Sequence, residues 1–398
     1  MLEIIFALFL GICAGIVTGL LPGLHVNTVA AIVLSALAFL TKYFSFLSLG
    51  VFLVAMLITH SFLDFIPSIF LGAPDDGGTV LSVLPGHRML LQGKGYKALK
   101  LTVMGGIGAY LFGLLMLPLF FVFIKYGYVY LEKIVAPAIL SFSLLFILSE
   151  NKLRGKTWAL LIFLLSGTLG LLALNNLQIK EPLFPLLAGL FGISTLLLSA
   201  GATKKIPEQK FDSEIDFGKW WVHAKGSVCA ALMSVLPALG SAQATILAQF
   251  FSRRKSAEEF LIIVGGINTV SVLFVLTTLF LINKARTGVI AAMKQFLVLD
   301  FYSYSILLAA SFAATGIAVL LTLVLGKYFA NRIWKIPYRK LSLAILLFIF
   351  ALVGIFSGFL GLFVLSIATA IGIIAPKVGV KRIHAMGCLV IPVLFYFI

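Results

Sequence analysis

Long apolar runs alternate with short polar breaks along the whole chain. A helix needs about 20 apolar residues to cross a bilayer. Runs that approach or exceed that length lie at 2–20, 24–41, 46–72, 100–124, 127–149, 157–175, 183–201, 226–250, 259–283, 303–326, 342–375 and 385–398. Several are too short or too broken for an ordinary span. The pattern therefore predicts an all-α polytopic membrane protein with about ten to twelve transmembrane or re-entrant helical segments. The run 342–375 is long enough for two crossings or a hairpin, with its break expected near Gly354, Gly358 and Gly361.

One break stands out. Leu20-Leu21-Pro22-Gly23-Leu24-His25-Val26-Asn27-Thr28 interrupts the first apolar stretch. Proline removes a backbone donor and glycine releases helical geometry. In hydrocarbon such backbone is tolerated only where it is buried in protein or lines a wet cavity. The pattern recurs at Val235-Leu236-Pro237-Ala238-Leu239-Gly240-Ser241-Ala242-Gln243. Paired breaks in corresponding halves point to a transporter's binding site. Two pseudo-repeats follow, each with a broken hairpin (2–41 and 226–250). The expected layout is a first transmembrane repeat at 1–150, connecting helices and a polar linker at 151–225, and a second repeat at 226–398. Basic clusters flank most runs and assign those loops to the cytoplasm. They do not fix whether the repeats are parallel or inverted.

Composition agrees with this reading. The 398 residues are 61% hydrophobic and 11% charged, and the mean hydropathy is +1.14. A soluble domain has about 45–50% apolar and about 25% charged residues. The net charge of +16 reads mainly as positive-inside bias, with a remainder for an anionic substrate or anionic lipid headgroups. Nucleic acid is not an expected partner. The three cysteines, Cys13, Cys229 and Cys388, sit in apolar context without metal-ligand spacing and read as packing residues. The N-terminal run lacks a basic n-region and reads as part of the mature fold.

The candidate chemistry lies at the breaks. A second irregular stretch, Ser68 to Thr79, carries Pro74, Asp75, Asp76, Gly77, Gly78 and Thr79. Its free amides suit an anion, and its carboxylates suit a cation or proton. Arg88 and His87 follow, and the arginine fork matches a carboxylate or phosphate. His60 and Asp64 are four apart on one helical face, as a pair or a proton relay. In the second half Asn268 falls roughly where His60 falls. Lys284 and Arg286 fall roughly opposite Pro74 to Gly78. A basic pair in one half and an acidic pair in the other would serve an anionic substrate and a coupling ion respectively. No metal-ligand spacing, nucleophile elbow or phosphate loop appears, so no enzyme is expected.

Four blocks together resemble the TctA family, the large membrane subunit of tripartite tricarboxylate transporters. They are Gly19-Leu20-Leu21-Pro22-Gly23-Leu24; Ser68 through Pro74 with Gly86, Gln92-Gly93-Lys94-Gly95 and Ala98-Leu99; Leu236 through Gly240 with Arg253-Arg254-Lys255 and Glu258-Glu259-Phe260; and Gly265-Gly266 with Asn268. The second proline-glycine is Pro237-Ala238 here, and one asparagine of a family pair remains. The resemblance implies a small membrane subunit and an extracytoplasmic binding protein as partners, although a shorter, stand-alone variant also fits. The expectation is a secondary-type permease of the plasma membrane for an anionic solute, a carboxylate. Its binding residues would be Pro22, Gly23, His25, Asn27, Thr28, Asp75, Asp76, Gly77, Gly78, Thr79, Arg88, Pro237, Gly240, Ser241, Gln243, Asn268 and Arg286. His60 and Asp64 would couple transport to sodium or protons, without a cofactor. A homo-oligomer stays open. The alternative is a translocase for polyprenyl phosphate or another lipid phosphate.

Overall fold

The computed structural model describes residues 2–22, 24, 26–74, 79, 81–150, 152–176, 178–179, 181–200, 206–211, 220–235, 241–250, 256–335 and 338–397. Every regular element among them is helical. The first half contains α1 (Leu2–Leu20), α2 (Val26–Ser35), α3 (Phe46–Leu63), α4 (Val83–Leu90) and α5 (Gly95–Leu148). Then come α6 (Leu153–Leu171) and α7, which runs through Leu183–Leu187, Ala188–Ile193 and Ser194–Ala200. The second half contains α8 (Trp220–Val235), α9 (Ser241–Phe250), α10 (Ala257–Ile282), α11 (Gly288–Lys294) and α12 (Phe301–Ile333). The chain closes with α13 (Tyr338–Lys377) and α14 (Gly387–Phe397).

Among the described residues, seven helices are long and apolar enough to cross a membrane. Three shorter apolar helices, Val26–Ser35, Leu183–Leu198 and His384–Phe395, bring the set to ten. Two expected spans merge: 100–124 and 127–149 belong to the single helix α5, which contains Pro118 and Pro137. The expected break in 342–375 falls at Gly358, whose φ of 68° and ψ of −166° leave the helical region. A Cβ at Gly354 would lie 3.8 Å from Leu362 Cδ1, and one at Gly361 would lie 3.4 Å from Val353 Cγ1. Eight residues of straight helix span about 12 Å, so α13 bends sharply there.

Local sequence sets the ends of the central helices. Ser45 Oγ accepts from the Ser48 amide at 3.2 Å and opens α3. Ser256 Oγ accepts from the Glu259 amide at 3.0 Å and opens α10. Both are serine N-caps. The π-helical turn Pro67–Leu71 continues from α3 and ends at Gly72, with φ 65°. Asn283 ends α10 in the left-handed region, with φ 52°. Lys294 Nζ ties that turn to α11 by donating to the Asn283 carbonyl at 2.7 Å.

These two helices occupy the middle. The apolar window of α10 is 89% buried and that of α3 (with its π turn) 78%, against 22–39% for the other five spans. The halves interlock around them. α1 packs on α3 and α8 on α10, while α5 of the first half crosses to α10 and α12 of the second crosses to α3. A Cβ at Gly105 would lie 1.9 Å from the Ile262 carbonyl oxygen, and one at Gly265 2.1 Å from the Thr102 oxygen. Small residues let the α5 and α10 backbones meet, the usual device of membrane helix pairs.

The two breaks are followed differently. α9 packs back on α8 and α10, whereas α2 lies mainly on α11 and α3. Outside the halves, α6, α7, α13 and α14 share a third apolar core. Within the linker, Gln209 is buried; its Oε1 accepts from the Gly95 amide at 2.7 Å, and Nε2 donates to the Leu90 carbonyl at 3.2 Å.

Candidate functional site

A cavity of about 320 Å³ lies where the halves meet. Small-molecule sites occupy about 300–1,000 Å³. The first half supplies Asn27 at the start of α2, with His60 and Ser61 from α3. The second half supplies Ser241 at the start of α9, Asn268 and Ser271 from α10, and Arg286, Thr287 and Gly288 ahead of α11. Leu57, Val272 and Val275 form apolar wall, and Leu183 of α7 closes one side.

Polar groups converge there for a structural reason. Each helix start leaves amide donors unpaired and carries the positive end of the helix dipole. The first residues of α2 and α9 both line the cavity. The start of α11 sits against α2: a Cβ at Gly288 would lie 2.6 Å from Asn27 Oδ1. The breaks place these starts inside the protein, where an anion can use them.

Arg286 adds a full charge. It is half-buried, and Nη2 donates to Tyr128 Oη at 3.1 Å. Lys284 Nζ donates to the same phenol oxygen and lies 4.5 Å above its ring. Buried Nε of Arg286 has no hydrogen-bond partner among the described residues, nor does Arg286 form an ion pair there.

At the end of α3, His60 and Asp64 form the pair expected from their spacing, with Nε2 and Oδ2 3.9 Å apart. They are 2% and 1% exposed. Nδ1 of His60 lies 3.2 Å from Thr18 Oγ1 of α1. Asn268 Nδ2 donates to Asp64 Oδ2 and to the Ser61 carbonyl, both at 3.1 Å. Asn268, matched above to the His60 position, is thus that pair's hydrogen-bond partner across the interface.

The cavity gathers Asn27, His60, Ser241, Asn268 and Arg286 from the residues expected in a site, with Asp64 behind them. Thr28 does not line it and instead donates to Glu181. Pro22 is buried at the end of the break, where the Leu24 amide reaches the Leu21 carbonyl at 3.2 Å. Thr79 and Arg88 also do not line it. The Thr79 carbonyl accepts from Ser68 and Ser82, and Arg88 is exposed on α4. A guanidinium on a solvent-facing turn matches a positive-inside anchor instead. Gly23, His25, Asp75, Asp76, Gly77, Gly78, Pro237 and Gly240, and the side chain of Gln243, lie outside the described residues.

Tyr128, Ser61 and Ser271 escaped the sequence reading. Ser271 follows Asn268 by three, the spacing of one helix face, and could have been found. Tyr128 carries no local signal.

The model of the tripartite tricarboxylate transporter TctA family matches residues 5–387. The chain belongs to the TctA family. An uncharacterized protein, MJ1079, from Methanocaldococcus jannaschii is 31% identical over 417 residues, covering 100% of both chains. No solved structure matches this TctA protein. TctA proteins are transporter subunits, the large ones of tripartite systems that also hold a small membrane subunit and a periplasmic binding subunit. Membership and the seven apolar helices make this chain a multi-pass membrane protein of transporter type.

Proposed function

We propose that this TctA protein is a secondary-type permease of the plasma membrane that moves a carboxylate through the cavity between its halves. The observation that carries the reading is the position of Arg286 beside the starts of α2 and α9, in one cavity built from both halves. A carboxylate would accept from the arginine fork, from the Asn27 amide and from free backbone amides. A coupling ion, sodium or proton, would supply the drive. A small cavity favours a compact solute over a polyprenyl phosphate, whose chain needs an opening toward lipid.

The test is uptake of labelled di- and tricarboxylates into proteoliposomes. Alanine at both Asn27 and Ser241 is expected to cut uptake at least tenfold, by loss of about 1.5–3 kcal/mol per charged hydrogen bond. Unchanged uptake in that double variant sinks the site. Adding a binding protein and a small membrane subunit then decides whether this chain works alone.

A further inference from the structure

We propose that Arg382 binds the phosphate of an anionic membrane lipid at the shared foot of α6 and α13. Arg382 opens the turn Arg382–Met386 between α13 and α14. It is half-buried. Its Nη1 donates to Ser194 Oγ at 3.3 Å and to Thr195 Oγ1, both on α7. Each hydroxyl gives its own proton to its helix, Ser194 to the Leu190 carbonyl at 2.7 Å and Thr195 to the Phe191 carbonyl. Both therefore face the guanidinium with lone pairs; they aim the side chain but carry no charge. Among the described residues, no carboxylate forms an ion pair with Arg382. Glu150, beside the same turn, is engaged by His384 at 2.9 Å and Lys381 at 3.8 Å. Burial pulls the Arg382 guanidinium down to about 10, so it stays charged at neutral pH. A charge withdrawn from water without a counter-charge is costly. Nε and Nη2 form no hydrogen bond among the described residues. That edge of the fork accepts two oxygens of a phosphate side by side.

The surroundings favour a lipid over a dissolved anion. Lys377 and Lys381 precede Arg382 and are exposed; Lys152 and Arg154, also exposed, stand at the start of α6. The two basic groups meet. A Cβ at Gly155 would lie 3.5 Å from Glu150 Cβ and 4.0 Å from Val380 Cγ1. α6 packs on the turn Arg382–Met386 and on α14. From this basic foot, Leu153, Leu160, Leu161, Leu164 and Leu165 run along α6 as an exposed stripe. Their spacing is that of one helix face. The opposite face is the packed one: a Cβ at Gly167 would lie 2.0 Å from Ile391 Cδ1. Lysines and arginines at the end of a membrane helix attract anionic headgroups, and the leucine stripe gives the acyl chains an adjoining apolar wall. The usual role of such charges is a positive-inside anchor. Arg88, exposed on α4, fits that role. Arg382 departs from it, because an anchor keeps its charge in water, whereas Arg382 is half-buried and tied to α7. A phosphate on its open edge would neutralise that charge where α6, α7 and α13 come together.

The test is native mass spectrometry of the whole protein in detergent, titrated with phosphatidylglycerol or phosphatidylcholine. One phosphatidylglycerol should stay bound after the others are stripped, and phosphatidylcholine should bind about tenfold more weakly or worse. Arg382→Gln should weaken phosphatidylglycerol about tenfold or more, through loss of charged hydrogen bonds. Arg88→Gln removes the same charge elsewhere and should leave phosphatidylglycerol binding unchanged. Equal effects of the two variants, or equal binding of the two lipids, overturn the proposal. Phosphatidylglycerol should also raise the thermal midpoint of the wild type and not that of Arg382→Gln. Inorganic phosphate is the control for a dissolved anion. If it raises the midpoint as far as phosphatidylglycerol does and displaces the lipid, the site takes free phosphate and the lipid reading falls. If Arg382→Gln does not fold, the double variant Lys377→Gln/Lys381→Gln changes only exposed side chains beside it. That variant should weaken phosphatidylglycerol about fivefold or more, and undiminished binding overturns the proposal.

Discussion

The two halves use the same parts for different chemistry. Each has a helix, a break, a short helix, a central helix and a long helix that crosses to the other half. Yet α3 brings a histidine and a carboxylate to the interface, while the end of α10 brings an arginine. The first pair joins a ring nitrogen and a carboxylate, and the arginine presents a planar fork of donors. Repeated architecture thus frames an asymmetric cavity, with an arginine from one half and a histidine from the other. Asn268, neutral, joins the two by holding Asp64.

The comparison fails first if the halves do not depend on each other. Gly105→Val would drive a side chain into the Ile262 carbonyl, where even a Cβ lies 1.9 Å away. Overpacking usually costs about 1–3 kcal/mol, and a backbone obstacle cannot turn aside as a rotamer can. The thermal midpoint in detergent should fall steeply, with loss of folded yield. Gly316→Ala in α12, where a Cβ would meet nothing within 4 Å, should leave it unchanged or slightly raised.

Next comes the fixed charge. Arg286→Gln should reduce carboxylate uptake by about 10–100-fold, the equivalent of one or two charged hydrogen bonds at about 1.5–3 kcal/mol. Arg286→Lys should recover little, because a point charge does not reproduce the planar fork. Equal activity of the glutamine variant would mean that the asymmetry is structural only. Asn268→Ala tests the joint between halves. It removes two hydrogen bonds and should cost about 0.6–2 kcal/mol of stability, read as a lower midpoint, together with a changed pH profile of uptake.

Much of this was legible in the residues, for stated reasons. Proline with a glycine within three residues of it marks a break in an apolar run, so Pro22 and Pro237 announced two of the helix starts. An ionisable pair four apart in an apolar helix can hardly avoid meeting, so His60 and Asp64 were visible too. Gly358 was one of three glycines suggested for the bend in α13. What sequence did not reveal were contacts between distant segments. Nothing local says that Asn268 reaches Asp64, or that Tyr128 receives both Lys284 and Arg286. The charge of Arg88, exposed on α4, decides little, because an arginine near an interface has the same local pattern whether it serves a site or anchors a loop. The continuous course of α5 through Pro118 and Pro137 likewise defeats a rule by which proline ends helices.

The smallest effect separates two kinds of pH sensitivity. Away from the cavity, His384 Nε2 and Glu150 Oε1 lie 2.9 Å apart, and Lys381 Nζ lies 3.8 Å from the same oxygen. Burial pushes His384 below its ordinary value of 6.5, outweighing the hydrogen bond to Glu150. Burial raises the carboxyl of Glu150, but hydrogen bonds from His384 and the Lys381 amide outweigh it and leave the group below 4.5. A group depressed on folding gives stability that is present above its unfolded value and lost as pH falls. Stability should therefore decline in two stages, first below about pH 6.5 through His384 and then below about pH 4.5 through Glu150. His384→Gln should remove the first stage from a series of thermal midpoints and shrink the second, because His384 supplies one of the hydrogen bonds that hold Glu150 down. The same variant should not move the pH profile of uptake, since His384 lies by the α14 start and does not line the cavity. If His384→Gln flattens the uptake profile instead, the pH dependence of uptake belongs to this outer pin, and the contrast between α3 and α10 loses its mechanistic meaning.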